Sequence, residues 1–256
     1  MKISFFEEFP TKENLTKLTL LSWPTKLYIA SSSLYEFETI AKSLKTNKNL
    51  KKVIYWPILT KKEGYWISPF SQHQALTRIF NELKNKKVPV MLDLELPTTR
   101  NSLLYATQFF NFIKNKKLIS QFIQDYSGEI SLCEYLPNSK KSTAILSWLG
   151  LHYETNTSKV KVRNIIKMMY HSMIPYTPDF IHREMERGVK MWGNQFTVGF
   201  GTIATGVLGT EPILDPKTLE NDLILASAAG VHEVVMFRLG GLNKEYASIL
   251  RKFSQK

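Results

Sequence analysis

The amino-acid sequence predicts one α/β domain of the (β/α)8 barrel class. Short apolar runs rich in β-branched and aromatic residues alternate with longer amphipathic stretches along the chain. This alternation is typical of βα units, whose strands form a parallel sheet. Eight such units can be placed, and the length of 256 residues agrees with the roughly 250 residues of a single barrel. We therefore expect one domain over residues 1–256.

The N-terminal half supplies four of these units. The first strand, Lys2 to Phe9, precedes a helix for which the Thr11 hydroxyl is a suitable N-cap. Apolar residues at a spacing of three and four predict the helix after the third strand, and they are Ala75, Leu76, Ile79, Phe80 and Leu83. The other strands are Lys26 to Ser31, Lys52 to Leu59 and Val88 to Leu94. A helix from Leu34 to about Leu44 and a long helical region from about Arg100 to Asp125 complete this half.

The C-terminal half repeats the pattern. Its strands are Glu129 to Leu136, Lys161 to Tyr170, Phe196 to Phe200 and Glu233 to Leu239. Its helices are Ser142 to Leu151, Pro178 to Trp192, Pro216 to Ala229 and a last helix from Lys244. A doubly wound open sheet is the alternative, but it usually has fewer units and leaves sheet edges to cover. The eight units favour the barrel.

The chain is strongly basic, with a formal net charge of +12. Such a charge could serve an anionic partner, such as nucleic acid, a phosphosugar or an acidic membrane surface. The lysines cluster where helices would end or turn, as at Lys84 to Lys87 and Lys114 to Lys117, and cations near helix C-termini complement the helix dipole. We therefore expect a solvated lysine surface and no nucleic-acid partner.

The sequence argues against disulfides, cysteine-based zinc sites and membrane-spanning helices. Cys133 is the single cysteine, so an intrachain disulfide and a zinc site of paired cysteines cannot form. The chain has no run of about 18 uncharged apolar residues that would span a membrane. Its N-terminus also lacks the apolar region of a signal peptide. We expect a cytoplasmic protein without a cofactor or a bound metal.

Two carboxyl groups at the end of the fourth predicted strand are the main candidates for catalysis. Barrels carry their active sites at the C-terminal ends of the strands. Asp93 and Glu95 are two residues apart, so their side chains point to the same face of the strand. Repulsion between neighbouring carboxylates raises the pKa of one, as a general acid at neutral pH requires. The alternative is a solvated pair, one member of which caps the next helix.

The fourth strand resembles that of the family 18 glycoside hydrolases, the chitinases and their relatives. Their motif Asp-x-x-Asp-x-Asp-x-Glu ends in an Asp-x-Glu that is similar to Asp93-Leu94-Glu95. The two earlier aspartates of the motif would fall on Val88 and Met91. In this chain neither position is acidic.

Two further strands bear on the resemblance. The family's Met-x-Tyr-Asp/Asn element on strand six resembles the segment Met168-Met169-Tyr170-His171, with histidine at the last position. The tryptophan of the family's last strand, which forms the floor of the sugar site, has no counterpart beside Phe237.

The resemblance implies substrate-assisted hydrolysis of an N-acetylated sugar polymer or conjugate. Glu95 would protonate the glycosidic oxygen. Asp93 would orient the substrate's acetamido group, whose carbonyl oxygen attacks the anomeric carbon, and Tyr170 would hydrogen-bond that group. This scheme is an exception to the paired-carboxylate mechanism of most glycosidases.

Residues at other strand ends are expected to contact a carbohydrate substrate. They are Glu7, Trp56, Trp66, Glu134, His171 and Arg238. Flat aromatic faces suit the apolar faces of sugar rings, but Trp56 and Trp66 could equally pack beneath the loop from Tyr65 to Phe70.

Three alternative functions stay open from the sequence. Oxygen-rich ligands from Glu7 or Glu8, Glu95 and Glu134, with His171, could hold Mg2+ or Mn2+. Arg238 and the glycines after strands seven and eight could bind the phosphate of a phosphosugar in an isomerase or lyase. A barrel without catalysis could also bind a glycan, a hypothesis that the departures at Met91 and Phe237 favour.

Overall fold

The predicted barrel is confirmed. The structure is a computed structural model that describes residues 1–98, 102–153, 162–170, 172–174 and 176–254. Eight parallel strands close into a barrel in the order in which they follow one another along the chain. The strands are β1 Lys2–Glu7, β2 Thr25–Ser31, β3 Leu50–Pro57, β4 Val90–Leu94, β5 Ile130–Tyr135, β6 Val162–Met169, β7 Phe196–Thr202 and β8 Glu233–Phe237.

Helices follow the strands. Within the described residues they are α1 Lys12–Thr16, α2 Leu34–Ser43, α3 His73–Leu83, α4 Ser102–Phe109, α5 Phe112–Asp125, α6 Lys140–Leu149, α7 Pro178–Trp192, α8 Pro216–Ala228 and α9 Lys244–Phe253. Side-chain caps fix several of their starts, as predicted for Thr11, which accepts a hydrogen bond from the Asn14 N–H. Ser139 forms a reciprocal capping box with Ser142, so α6 begins two residues before the predicted start.

The long helical region predicted from about Arg100 to Asp125 is not continuous within the described residues. It is two helices, because α4 ends at Phe109 and α5 begins at Phe112. A turn separates them, in which the Asn111 N–H donates to the Gln108 carbonyl at 2.9 Å. The apolar pattern runs through this turn with no proline or glycine to mark it.

The strand bounds also differ from the predictions at their ends. β1 ends at Glu7 rather than Phe9. β4 begins at Val90 rather than Val88, since Pro89 has no N–H to donate to a strand ladder. Every residue of β4 is buried, which is expected of a strand covered on both faces.

The chain divides into two compact units. The first unit contains Met1–Ala30, Thr39–Ile54 and Ile166–Lys256, and the second contains Ser31–Glu38 and Tyr55–Ile165. In the first unit β8 pairs with both β1 and β7. In the second unit β4 pairs with β5. That residues 1–256 form a single domain stays a prediction.

None of the helices in the described part of the chain has the length and apolar character needed to cross a membrane.

Candidate active site

The adjacent ends of β4 and β5 bring four functional side chains together in the second unit. The register pairs Asp93 with Cys133 and Leu94 with Glu134, so the next residues along, Glu95 and Tyr135, are also neighbours. Asp93 and Glu95 hydrogen-bond each other, and Glu95 also bonds Tyr135. These bonds place both carboxyl groups on the same face of the strand.

The pKa of Glu95 is high enough for its carboxyl group to be partly protonated at neutral pH. Burial raises the pKa of Glu95 to about 7, while its hydrogen bonds to Tyr135 and Asp93 act in the opposite direction. Glu95 as a whole residue is half-buried, whereas Asp93 is only 4% exposed. A hydrogen bond between two carboxyl groups requires a proton on one of them, so Asp93 and Glu95 titrate as a pair. This pair can donate a proton to a bound molecule and take it back.

Tyr135 and Cys133 support the pair as neutral groups. Burial and then the Glu95 charge raise the pKa of Tyr135 well above its usual range. Its hydroxyl accepts a hydrogen bond from the Leu96 N–H at 3.2 Å, which leaves its proton for Glu95. Burial and nearby carboxylates, Asp93 first, raise the pKa of the Cys133 thiol, which hydrogen-bonds Asp93. A thiol held neutral in this way is a poor nucleophile.

Sequence reasoning gave neither Tyr135 nor Cys133 a role. The signal that could have found them is their two-residue spacing on a strand next to the one that carries Asp93 and Glu95. Using it requires the register between β4 and β5.

Glu134 alternates with Cys133 and Tyr135 along β5 and makes different contacts. Its carboxylate lies 3.2 Å from Nδ1 of His152, and both side chains are fully buried. It also accepts a hydrogen bond from the Tyr153 N–H at 2.8 Å. Glu134 therefore ties β5 to the segment after α6, and substrate contact by this residue stays a prediction.

Trp56 and Trp66 form a buried stack in the second unit. Their rings are 5.7 Å apart and nearly parallel, and Tyr65 meets Trp66 edge-on at 4.4 Å. Trp56 is 1% exposed and Trp66 is 6% exposed. This is the geometry of the packing alternative, and contact with a sugar ring stays a prediction.

Glu7 and Arg238 form an ion pair in the first unit. Nη1 of Arg238 lies 3.1 Å from Oε1 of Glu7, and the Gly240 N–H donates to Oε2 at 2.6 Å. Arg238 also donates to the Thr205 carbonyl at 2.9 Å. Burial raises the pKa of Glu7, while the Arg238 charge opposes this. The contacts join the end of β1 to the segment after β8, so the Arg238 guanidinium already has an anionic partner.

Tyr170 also belongs to the first unit and follows β6 directly. Its ring lies 6.0 Å from that of Phe237, which in turn lies 6.4 Å from Phe6. The role of Tyr170 beside Asp93 and Glu95 stays a prediction. His171 lies outside the described residues.

The metal hypothesis gains no support from the arrangement of ligands. In the ranges that the structure describes, no group of three or more His, Cys, Asp or Glu side chains is placed to hold a metal ion.

The fold is similar to that of chitinases and of a cortex-lytic enzyme. The spore cortex-lytic enzyme SleL of Bacillus cereus has a TM-score of 0.62 at 7% identity, over 99% of this chain and 74% of that one. The chitinase of Chromobacterium violaceum has a TM-score of 0.57 at 10% identity, over 100% and 99% of the two chains. A mutant class V chitinase of Nicotiana tobaccum, in complex with NAG4, has a TM-score of 0.50 at 10% identity, over 97% and 98%.

These likenesses establish a distant chitinase-like TIM barrel. At such low identity they show the fold alone, since one barrel fold hosts many chemistries. No family model and no curated protein matches the chain.

Proposed function

We propose that this protein is a glycoside hydrolase that cleaves an N-acetylated sugar polymer or conjugate, with Glu95 as the general acid. The observation that carries the proposal is a half-buried glutamate with a pKa of about 7, hydrogen-bonded to a second carboxyl group at a barrel strand end. General acids work best when their pKa lies near the operating pH. The NAG4 bound to the tobacco enzyme supports an N-acetylated substrate by analogy of fold.

The reaction would proceed in two steps. As the bond between the anomeric carbon and the glycosidic oxygen breaks, Glu95 gives its proton to that oxygen. The carbonyl oxygen of the substrate's own acetamido group forms the new bond to the anomeric carbon. Water then attacks this carbon, whose bond to the acetamido oxygen breaks so that the acetamido group is restored, and the water gives a proton back to the Glu95 carboxylate.

Asp93 would accept a hydrogen bond from the acetamido N–H and hold the group in line for attack. In family 18 an aspartate precedes this residue by two positions, but here that position is Met91. Cys133 on β5 instead donates a neutral hydrogen bond to Asp93. We infer that Cys133 helps to hold the Asp93 carboxylate in place of the missing aspartate, and that Tyr170 hydrogen-bonds the acetamido group.

The test is hydrolysis of a chito-oligosaccharide, whose sugar leaving group needs a full proton transfer, by the Glu95→Gln variant. The amide keeps the shape of the side chain but has no acidic proton, so we expect a loss of about 100-fold or more in kcat. Glu38→Gln, which alters an exposed carboxylate on α2, is the matched control and should keep full activity.

Two outcomes would contradict the proposal. Turnover by Glu95→Gln at the wild-type rate would remove Glu95 from the reaction. Tight binding of N-acetylated oligomers by the wild type without any hydrolysis would favour the barrel that binds a glycan without catalysis.

A further inference from the structure

A surface of the second unit exposes large apolar side chains at the helices that follow β4 and β5. We call it the α4–α6 patch. Its members are Phe109 (70% exposed), Phe110 (88%), Ile113 (71%), Ile145 (57%) and Trp148 (64%). They come from the end of α4, the turn after it, the first turn of α5 and the body of α6. Single exposed apolar residues are ordinary, but a cluster of this kind marks an interaction surface.

Contacts between α5 and α6 place the two helices that carry most of these side chains next to each other. The ring of Phe112 lies 5.4 Å from that of Trp148. Lys116 of α5 donates to the carbonyls of Ser147 at 3.2 Å and Trp148 at 2.5 Å at the end of α6. Ile145 and Trp148 are three residues apart on α6, so they share one face of that helix.

The charged residues in the two segments that carry the patch are all of one sign. Residues 96–124 and 135–153 contain no Asp or Glu. The same two segments carry six basic residues, which are Arg100, Lys114, Lys116, Lys117, Lys140 and Lys141. Among these, Lys114, Lys117, Lys140 and Lys141 are exposed. Lys117 lies four residues after Ile113 and Lys141 four before Ile145, so they flank the apolar side chains on the helix surfaces.

We propose that the α4–α6 patch docks on an anionic lipid surface, with its aromatic and aliphatic side chains inserted among the headgroups and its lysines beside their phosphates and carboxylates. Exposed Trp, Phe and Ile side chains bordered by lysine are the composition of helices that lie at a membrane interface. Each lysine close to an anionic leaflet adds about fivefold to binding. The docking is independent of the hydrolase proposal, because none of its residues takes part in that chemistry.

Other occupants fit the patch less well. A second copy of the chain, docked face to face, would bring two sets of lysines together, and the segments that carry the patch offer no carboxylate to neutralise them. A nucleic acid or an acidic glycan would match the charge, but it would leave Ile113, Ile145 and Phe110 without an apolar partner. An anionic lipid surface supplies both the charge and the apolar environment.

Vesicle sedimentation tests the proposal. The wild type should pellet with vesicles of phosphatidylcholine and phosphatidylserine in equal amounts, remain in solution with phosphatidylcholine alone, and be released by high salt. The double variant Phe110→Ser, Ile113→Ser should bind the vesicles at least about tenfold more weakly than the wild type. The double variant Lys114→Glu, Lys117→Glu should bind them at least about 25-fold more weakly. These residues are exposed, so the variants should keep the wild-type circular dichroism and melting temperature.

The matched controls lie in the first unit. Met191→Ser, Ile224→Ser removes two apolar side chains that are each 52% exposed, and Lys190→Glu, Lys217→Glu makes the same change in net charge at exposed positions. Both should bind vesicles as the wild type does.

Several results would overturn the proposal. One is failure of the wild type to pellet with anionic vesicles, and another is equal loss of binding in the patch and control variants. A doubled mass in light scattering that Phe110→Ser, Ile113→Ser abolishes would assign the patch to a second copy. Patch-dependent binding of RNA or heparin, without vesicle binding, would assign it to a polyanion.

Discussion

At the scale of single residues, the chemistry depends on the proton held between Asp93 and Glu95. Burial favours the neutral form of Glu95 and hydrogen bonds favour its charged form, and the balance leaves its pKa at about 7. Either influence alone would leave the residue a weaker acid or a permanent carboxylate at neutral pH. The groups that make these hydrogen bonds therefore tune the acid, and Tyr135 is the one that can be changed without altering a carboxyl group.

Removing the Tyr135 hydroxyl should raise the pKa of Glu95. In Tyr135→Phe the Glu95 carboxylate loses a donor that stabilises its charged form, so its pKa should rise above 7 by about one unit. A carbon-13 NMR titration of labelled glutamate carboxyl groups, with the Glu95 signal assigned from Glu95→Gln, measures the shift directly. Since the acid must be protonated to act, the alkaline fall in turnover should move to higher pH by the same amount.

Tyr126→Phe is the matched control for that experiment. Its hydroxyl donates to the Val88 carbonyl at 2.6 Å, so the variant loses a buried hydroxyl without touching Glu95. An unchanged or lowered pKa of Glu95 in Tyr135→Phe, or an equal rise in Tyr126→Phe, would contradict the role assigned to Tyr135.

Asp93 and Glu95 could be selected from the sequence, whereas their neighbours could not. Two-residue spacing after an apolar strand is a local pattern, and strand geometry converts it into a shared face. The contacts of Tyr135 and Cys133 depend on how β5 aligns with β4, which no local pattern encodes. For the same reason the sequence could not show that Glu134 pairs with His152, since its partner lies beyond the next helix.

At the scale of elements, helices and strands pack closely enough that a missing side chain can be essential. Gly188 lies on α7, and a Cβ at this position would be closer than 3.0 Å to the ring of Phe196. Phe196 opens β7, and its ring also stacks on Trp192 at 5.7 Å. The helix can approach the strand only because position 188 has no side chain. The break between α4 and α5 has no comparable signal, so the sequence predicts a helical region there but not where it divides.

Gly188→Ala should therefore destabilise the protein, despite the higher helix propensity of alanine. We expect a loss of about 1–3 kcal/mol in the free energy of unfolding from overpacking against Phe196. Urea denaturation measures this loss. In a Phe196→Leu background the smaller side chain leaves room for the new methyl group, so the cost of Gly188→Ala should shrink. A cost that is the same in both backgrounds would show that Phe196 is not the obstacle.

At the scale of the whole molecule, the barrel closes where β1 pairs with β8. The ion pair of Glu7 and Arg238 lies at this seam, and the Gly240 N–H completes the contacts of the buried carboxylate. The eight βα units were sufficient to predict a barrel, because the repeat is visible all along the sequence. The contacts that hold its seam join residues more than 200 positions apart and could not be predicted.

Loss of the Arg238 charge should destabilise the closed barrel. Arg238→Met leaves Glu7 as a buried carboxylate without its cation, which we expect to cost about 3 kcal/mol at neutral pH. The pKa of Glu7, already raised in the folded protein, should rise further. Because the pKa of Glu7 is higher in the folded than in the unfolded protein, its contribution to the free energy of unfolding is fully present below the ordinary pKa of 4.5. This contribution is lost as the pH rises through the pKa of Glu7 in the folded protein.

The difference in stability between wild type and Arg238→Met should consequently narrow as the pH falls below 4.5. Urea denaturation at a series of pH values measures it. Lys252→Met, which removes an exposed ion pair with Glu220 at 2.7 Å, is the control and should change stability by less than about 1 kcal/mol. If the stability lost in Arg238→Met did not depend on pH, the charge of Glu7 would not be the cause of that loss.

Whether Glu95 donates the proton to the leaving group is tested most directly with two substrates that differ only in that group. The measurement is the rate at which Glu95→Gln hydrolyses each substrate, relative to the wild type. An aryl N-acetylglucosaminide with an acidic phenol needs little protonation, whereas a chito-oligosaccharide with a sugar leaving group needs a full proton transfer. We predict that Glu95→Gln loses far more activity on the oligosaccharide than on the aryl glycoside. An equal loss on both substrates would contradict the assignment of Glu95 as the acid.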